Sequence, residues 1–283
     1  MKRKTIKNTA TLSGVGLHTG ASVNVTFKGA DAGTGIKFYR SDIEDDTALF
    51  ADVSNVIATN RGTTLRKGEV EVATVEHLLS AVHSLGIDDL HITLDGPEVP
   101  IMDGSAIMFY DTLVASEVID TDKDREYLVI NEIITYKDGE TGAELIALPS
   151  DFFEITTLVD FNSDYLGQQY ADFGFDDSFE KDIAPARTFA FLHELELLFD
   201  QGLIKGGDLD NAVIIANEKT STEKLSSLSS KLGKGALKVD EAGVLNTSKL
   251  RYANEPARHK LLDVIGDLSL VGHPIKGRIV ATK

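Results

Sequence analysis

Two stretches of the chain repeat apolar residues at the spacing of a helix. In the first, Leu78, Ala81, Val82 and Leu85 fall at i, i+3, i+4 and i+7 and Gly86 follows as a C-cap, which predicts a helix over residues 74–85. In the second, Leu261, Leu262, Val264, Ile265 and Leu268 share one arc of a helix that begins just before His259, with Asn254 in the N-cap place and Pro256 in the first turn. A further helix is expected over about residues 104–116. Runs that alternate apolar and polar residues predict strands at 22–27, 70–72 and 90–94, and again at 127–130, 144–147, 153–159 and 277–281. The polar run from Asp120 to Arg125 interrupts the pattern and sets an expected boundary between an N-terminal half, 1–124, and a C-terminal half, 125–283. Residues 217–235, rich in Ser and Lys, read as an inserted surface excursion. A faint echo links the halves: each has a His near a Leu-Leu pair, an apolar helix ending at Gly86 or Gly272, and then a strand-like run.

The polar sides of the two periodic helices add candidate chemistry. His259, Asp263 and Asp267 fall at i, i+4 and i+8, and with Lys260 they crowd into a sector of about 100°. Taken alone, such a stripe is the solvated face of an ordinary amphipathic helix. The first helix changes that reading, because His77 stands at the margin of its buried face with Glu76 beside it. A catalytic zinc keeps three protein ligands and leaves one position open, so His77, His259 and Asp263 make a candidate His2Asp site. Glu76, next to a ligand and not needed as one, becomes the candidate acceptor of a proton from the attacking water. The same division of labour occurs in HExxH zinc hydrolases, although the chain contains no HExxH. The other histidines signal less: His83 projects on the polar, solvated side of its helix, His91 alternates within a strand, and His193 and His273 lack partners at ligand spacing.

Composition narrows the class. The 283 residues suffice for one large domain or two smaller ones, and with no cysteine there is neither a disulfide framework nor a thiolate ligand. A formal net charge of -17 argues against nucleic acid as a partner, since phosphate contacts need a basic surface. The basic N-terminus has no apolar stretch after it, and no segment approaches the roughly 20 apolar residues of a spanning helix, so a cytoplasmic protein is expected.

Six runs carry a resemblance to a known family: GVGLHTG from Gly14 to Gly20, VEHLL from Val75, EVPIMDGSA from Glu98, ARTFAF from Ala186, GLIKGG from Gly202, and RHKLLDVIGD from Arg258 to Asp267. In that order, spread from one end of the chain to the other, they resemble the UDP-3-O-acyl-N-acetylglucosamine deacetylases, the LpxC family. The resemblance implies an α+β fold of two similarly folded sheet-and-helix halves with the active site between them, each half giving the metal a histidine. It implies Zn2+ held by His77, His259 and Asp263, with Glu76 as general base and Thr188 as hydroxyl donor to the oxyanion. It further implies Lys260 as a substrate contact near the reacting group, Asp267 as the orienting partner of a general-acid histidine, and Phe189 or Phe191 beside the nucleotide. Leu17, Leu195, Ile204, Gly207 and Leu209 match positions that form a narrow apolar passage for the acyl chain, and His18 matches a substrate-side residue. The implied reaction is hydrolysis of the N-acetyl group, releasing acetate, in lipid A biosynthesis. A diphosphate substrate is awkward for so acidic a chain. Lys205, Arg258, Lys260 and Lys283 would have to offset a repulsive field, and weak electrostatic steering is expected.

Family members continue past the equivalent of Lys283 into a short Gly-His segment carrying the general acid. The expectation is therefore slow turnover by either a fragment of a longer protein or an enzyme lacking one catalytic group, truncation being the simpler explanation. The His259 segment and the 217–235 insertion look most like the branch fused to a hydroxyacyl-carrier-protein dehydratase. Two alternatives stay open at this point: a catalytically impaired nucleotide-sugar or acyl-chain binding module, and a zinc amidohydrolase acting on another acylated sugar.

Overall fold

A computed structural model describes residues 1–195, 205–208, 211–216, 221, 225–226, 229–230, 235–245 and 249–283. The alternating run Ser22–Gly29 turns Val23, Val25 and Phe27 inward and its polar residues outward, the signature of a strand with one buried face. It lies in a five-stranded sheet ordered Ala10–Val15, Ser22–Gly29, Leu90–Leu94, Ile36–Arg40, Leu49–Phe50. Helix α1, Glu76–Ser84, buries Leu78, Leu79, Ala81 and Val82 in the apolar cluster shared with this sheet. Gly86 ends the turn at φ +66°, left-handed as a glycine C-cap requires. Helix α2, Ile107–Ala115, adds Phe109 and Leu113 to the same cluster.

The second layered unit is a sheet whose main path runs Ile134–Lys137, Glu144–Leu148, Ile275–Thr282, Phe153–Asp160, Gln168–Phe173. Ile275–Thr282 pairs parallel with Phe153–Asp160 and antiparallel with Glu144–Leu148. Helix α3, Glu255–Leu268, lays Ala257, Leu261, Leu262 and Ile265 against Ile155, Ala171 and Ile279 of this sheet. Strands and helices thus pack in an α+β arrangement with one apolar cluster behind each sheet.

Three local expectations are corrected. The run from Asp120 to Arg125 is not a break in structure: most of it belongs to the strand Val118–Asp124, which pairs antiparallel with Lys2–Ile6. A backbone ladder does not require apolar side chains, and opposite charges meet across it, as in the Lys2–Asp124 pair at 2.9 Å. Asn254 sits in the N-cap position but makes no side-chain cap. Its amide donates to the Tyr170 carbonyl and its side-chain oxygen accepts from Arg258 Nε, which ties α3 to the sheet instead. His83 is half-buried rather than solvated, packed edge-on against Phe153 with ring centroids 5.1 Å apart, and burial together with Arg125 pushes its imidazole down to about 4. The excursion expected over 217–235 falls largely outside the described residues.

Helices α1 and α3 meet at Gly266, where a Cβ would lie 2.1 Å from the Glu76 carbonyl oxygen. Only a residue without a side chain lets the two backbones come this close. A methyl there meets backbone, which cannot swing aside. Gly266→Ala is therefore expected to destabilise the fold by about 1–3 kcal/mol in chemical denaturation, the range of overpacked core sites. An unchanged midpoint would show that the contact is not tight.

Candidate active site

The crossing at Gly266 decides what faces what. Glu76 and His77 open α1 and are buried, at 6% and 4% exposure, while α3 brings His259, Lys260, Asp263 and Asp267 over them. The Nε2 atoms of His77 and His259 stand 3.5 Å and 3.4 Å from Asp263 Oδ1. His259 Nδ1 lies 3.0 Å from the Ala186 carbonyl. Because a carbonyl only accepts, that nitrogen carries the proton and Nε2 turns its lone pair into the cluster. Asp263 Oδ1 is buried without a hydrogen-bond partner, a costly state for a carboxylate unless a cation sits beside it.

These atoms suit one metal ion. The three donor atoms lie within 4.8 Å of one another. A tetrahedral ion with bonds of about 2.0–2.1 Å separates its ligands by about 3.3–3.4 Å, close to the spacing of each imidazole from the orphaned oxygen. The protonation states agree as well. Burial brings His259 down to about 4 and so keeps it neutral. Burial alone would raise Asp263, but His259, Lys260 and His77 hold it well below the carboxylate range. Burial would likewise lower His77, yet Asp263 and Glu76 outweigh it and raise its affinity for a proton, so a metal must displace that proton.

The second carboxylate pair is arranged differently. Glu76 Oε2 accepts from the Thr63 backbone N–H at 2.9 Å, and the Thr63 hydroxyl donates to Asp267 Oδ1 at 2.6 Å. Burial pushes Glu76 above its ordinary value and Asp267 up to about 7. One threonine thus holds a carboxyl group from each helix. Lys260 Nζ pairs with Asp263 Oδ2 at 3.0 Å and lies 5.6 Å from the centre of the Phe189 ring. The 186–188 segment is fixed by Arg187, buried and joined through its backbone N–H and its guanidinium to Glu255 in the first turn of α3. That pairing also sets the Ala186 carbonyl that orients His259.

A cleft of about 920 Å³ opens onto this cluster. Leu17, His18, Thr188, Phe189, Phe191, Leu195, Gly207 and Lys283 line it together with Glu76, His77, His259, Lys260, Asp263 and Asp267. Ile204 and Leu209 lie outside the described residues. Two expected basic residues are elsewhere. Lys205 is exposed, off the cleft wall, with its Cβ against Gly20. Arg258 precedes His259 by one helical position, which turns it about 100° away, onto the Asp182 carbonyl and over the Tyr252 ring. Carboxylates Asp138, Glu144 and Asp160 share the wall with Lys283, so the cleft itself is not strongly basic. No sequence signal assigns a role to Thr63, Arg187 or Glu255. Glu255 was visible as an acid in the first turn of a helix, but nothing local pointed to its partner.

The geometry can be set beside known proteins. The family model described as LpxC: UDP-3-O-acyl N-acetylglycosamine deacetylase matches residues 3–230 and 228–283. The chain is 41% identical over 284 residues to a bifunctional enzyme LpxC/FabZ of Chlorobaculum tepidum and 42% identical over 281 residues to that of Porphyromonas gingivalis. In both cases 99% of this chain aligns and spans 61% of the relative's length. It is 40% identical over 282 residues to a UDP-3-O-acyl-N-acetylglucosamine deacetylase of a Geobacter species, covering 84% of that protein. Helices α1 and α3, with every residue of the His77, His259 and Asp263 cluster, fall inside the matched segments, and the chain belongs to the UDP-3-O-acyl N-acetylglycosamine deacetylase family.

Proposed function

We propose that this protein hydrolyses the N-acetyl group of UDP-3-O-(3-hydroxyacyl)-N-acetylglucosamine in lipid A biosynthesis, in the cytoplasm, as a zinc-dependent deacetylase. One observation carries the reading: two imidazoles and an orphaned carboxylate oxygen converge beside the buried, raised carboxyl of Glu76, at the wall of a cleft of about 920 Å³. Zinc held by His77, His259 and Asp263 would supply Lewis-acid polarisation of the acetyl carbonyl and a lowered pKa for the attacking water.

The chain's own groups account for the remaining steps. Glu76 accepts the proton of the water, and the Thr63 N–H keeps its carboxylate turned toward the cluster. Thr188, whose backbone is pinned by the Gly104 carbonyl and the Val213 amide, offers its hydroxyl to the developing oxyanion. Lys260, beside Asp263 and Phe189, adds positive charge at the same end of the cleft. When the carbon–nitrogen bond breaks, the departing amine takes up a proton, and Glu76 carries the one it accepted. Acetate and a free amine result. Leu17, Leu195 and Gly207, with Ala212 and Ile214, give the acyl chain an apolar wall, while Phe189, Phe191 and Lys283 flank the nucleotide. A division at 124/125 goes with this reading, supported by two apolar clusters, each drawn mainly from one half, from which α1 and α3 approach the site.

The test is acetate release from UDP-3-O-acyl-N-acetylglucosamines of graded acyl length, with purified zinc-loaded protein. Stoichiometric acetate and amine, abolished by a chelator and restored by zinc, are expected. Folded, zinc-bound protein that releases no acetate from any of them would overturn the reading.

A further inference from the structure

Glu98 is fully buried, at 0% exposure, and has no role in the steps above. Among the described residues no Lys, Arg or His forms an ion pair with it, which is unusual for a buried acid. It is satisfied by neutral donors from two separate places. From one side the backbone N–H groups of His18 and Thr19 reach it at 3.0 Å and 2.9 Å, with the Thr19 hydroxyl at 2.8 Å. From the other comes the Thr74 hydroxyl, at 3.1 Å.

Both places lead into the site. The 16–20 turn carries Leu17 and His18 on the cleft wall. Its first residue must be glycine, since a Cβ on Gly16 would stand 2.5 Å from Glu98 Oε2. Thr74 has φ +59°, a left-handed backbone that a β-branched residue rarely adopts and that persists only where its surroundings hold it. Two residues later the chain reaches Glu76. Thr74 therefore sets the direction in which α1 starts, and Glu98 is one of the groups that hold Thr74.

We propose that Glu98 is a positioning residue that couples the substrate-side turn at 16–20 to the strained start of helix α1, so that His18 and the Glu76 carboxylate keep one fixed separation. The proposal rests on the deacetylase reading for its effect on turnover, but the coupling itself is a property of the free protein. The Glu98 carboxylate is held between the two places, so losing the Thr74 hydroxyl leaves it free to shift and lets the 16–20 turn shift with it.

Amide hydrogen exchange and kinetics on Thr74→Val, Thr74→Ser and Thr74→Gly test this in the full zinc-loaded chain. Thr74→Val removes the hydroxyl at nearly constant shape and is expected to speed exchange at the His18 and Thr19 amides, on the far side of Glu98, by about 10-fold. It is also expected to lower kcat about 10- to 100-fold at unchanged zinc content, the usual cost of losing a group that orients another. Thr74→Ser, which keeps the hydroxyl, should restore both. Thr74→Gly fits the left-handed backbone without strain and drops the same hydroxyl, so it stands in if the valine variant fails to fold. Unchanged exchange at His18 and Thr19 in both hydroxyl-less variants would overturn the coupling, as would equal losses in the serine variant. If wild-type protein released no acetate, the deacetylase reading would fail while the exchange data still judged the coupling.

Discussion

Alanine at any one of His77, His259 or Asp263 is expected to strip the protein of its zinc, from about one per chain to a small fraction of that after dialysis. The loss should exceed the roughly 10- to 100-fold in affinity that removal of an outer supporting partner costs, because a donor atom itself is deleted. Asp263→Ala has a second consequence. Its carboxylate, ahead of that of Glu76, raises the affinity of His77 for a proton, so the variant's two imidazoles lose the anion between them. Metal analysis on samples shown to be folded by circular dichroism decides the matter, and undiminished zinc in all three variants would sink the assignment.

Glu76→Ala is expected to behave in the opposite way, keeping its zinc and losing about 10²- to 10⁴-fold in kcat, the contribution of a positioned proton acceptor. The separation of roles follows from where the atoms point. Glu76 Oε2 is engaged by the Thr63 amide, and Glu76 is not among the residues whose donor atoms cluster within 4.8 Å. Burial raises its carboxyl, which strengthens it as a base at the cost of the fraction ionised. Zinc content and turnover must be measured on the same preparation. A variant that loses zinc as readily as His77→Ala would make Glu76 a ligand and remove the base from the proposed mechanism.

Much of the site is legible in the sequence. His259, Asp263 and Asp267 had to share one helical face because their spacing matches the helical period, and Leu261, Leu262 and Ile265 between them had to take the other face. The same reasoning failed where side-chain character and backbone role part company. Asp120, Asp122 and Asp124 interrupt the apolar pattern yet lie in a strand, since the ladder is made by peptide groups. Arg258 and Lys205 were expected to help offset the repulsive field met by a diphosphate substrate. One is rotated off the cleft by its helical position and the other is exposed off the cleft wall.

By itself the sequence determined the three helices, part of the strands and the family, because periodicity and motif are local and survive without knowledge of packing. Only the tertiary structure decided that His77 meets Asp263 at 3.5 Å, that Thr63 holds both Glu76 and Asp267, and that Arg187 is buried against Glu255. Those partners are far apart in the chain and no local pattern couples them. What brings the two helices together is a backbone contact at Gly266, where the missing side chain lets α3 rest on the carbonyl of Glu76. Removing one methyl group from a helix surface is a small sequence signal, but it sets the distance across which the whole site is built.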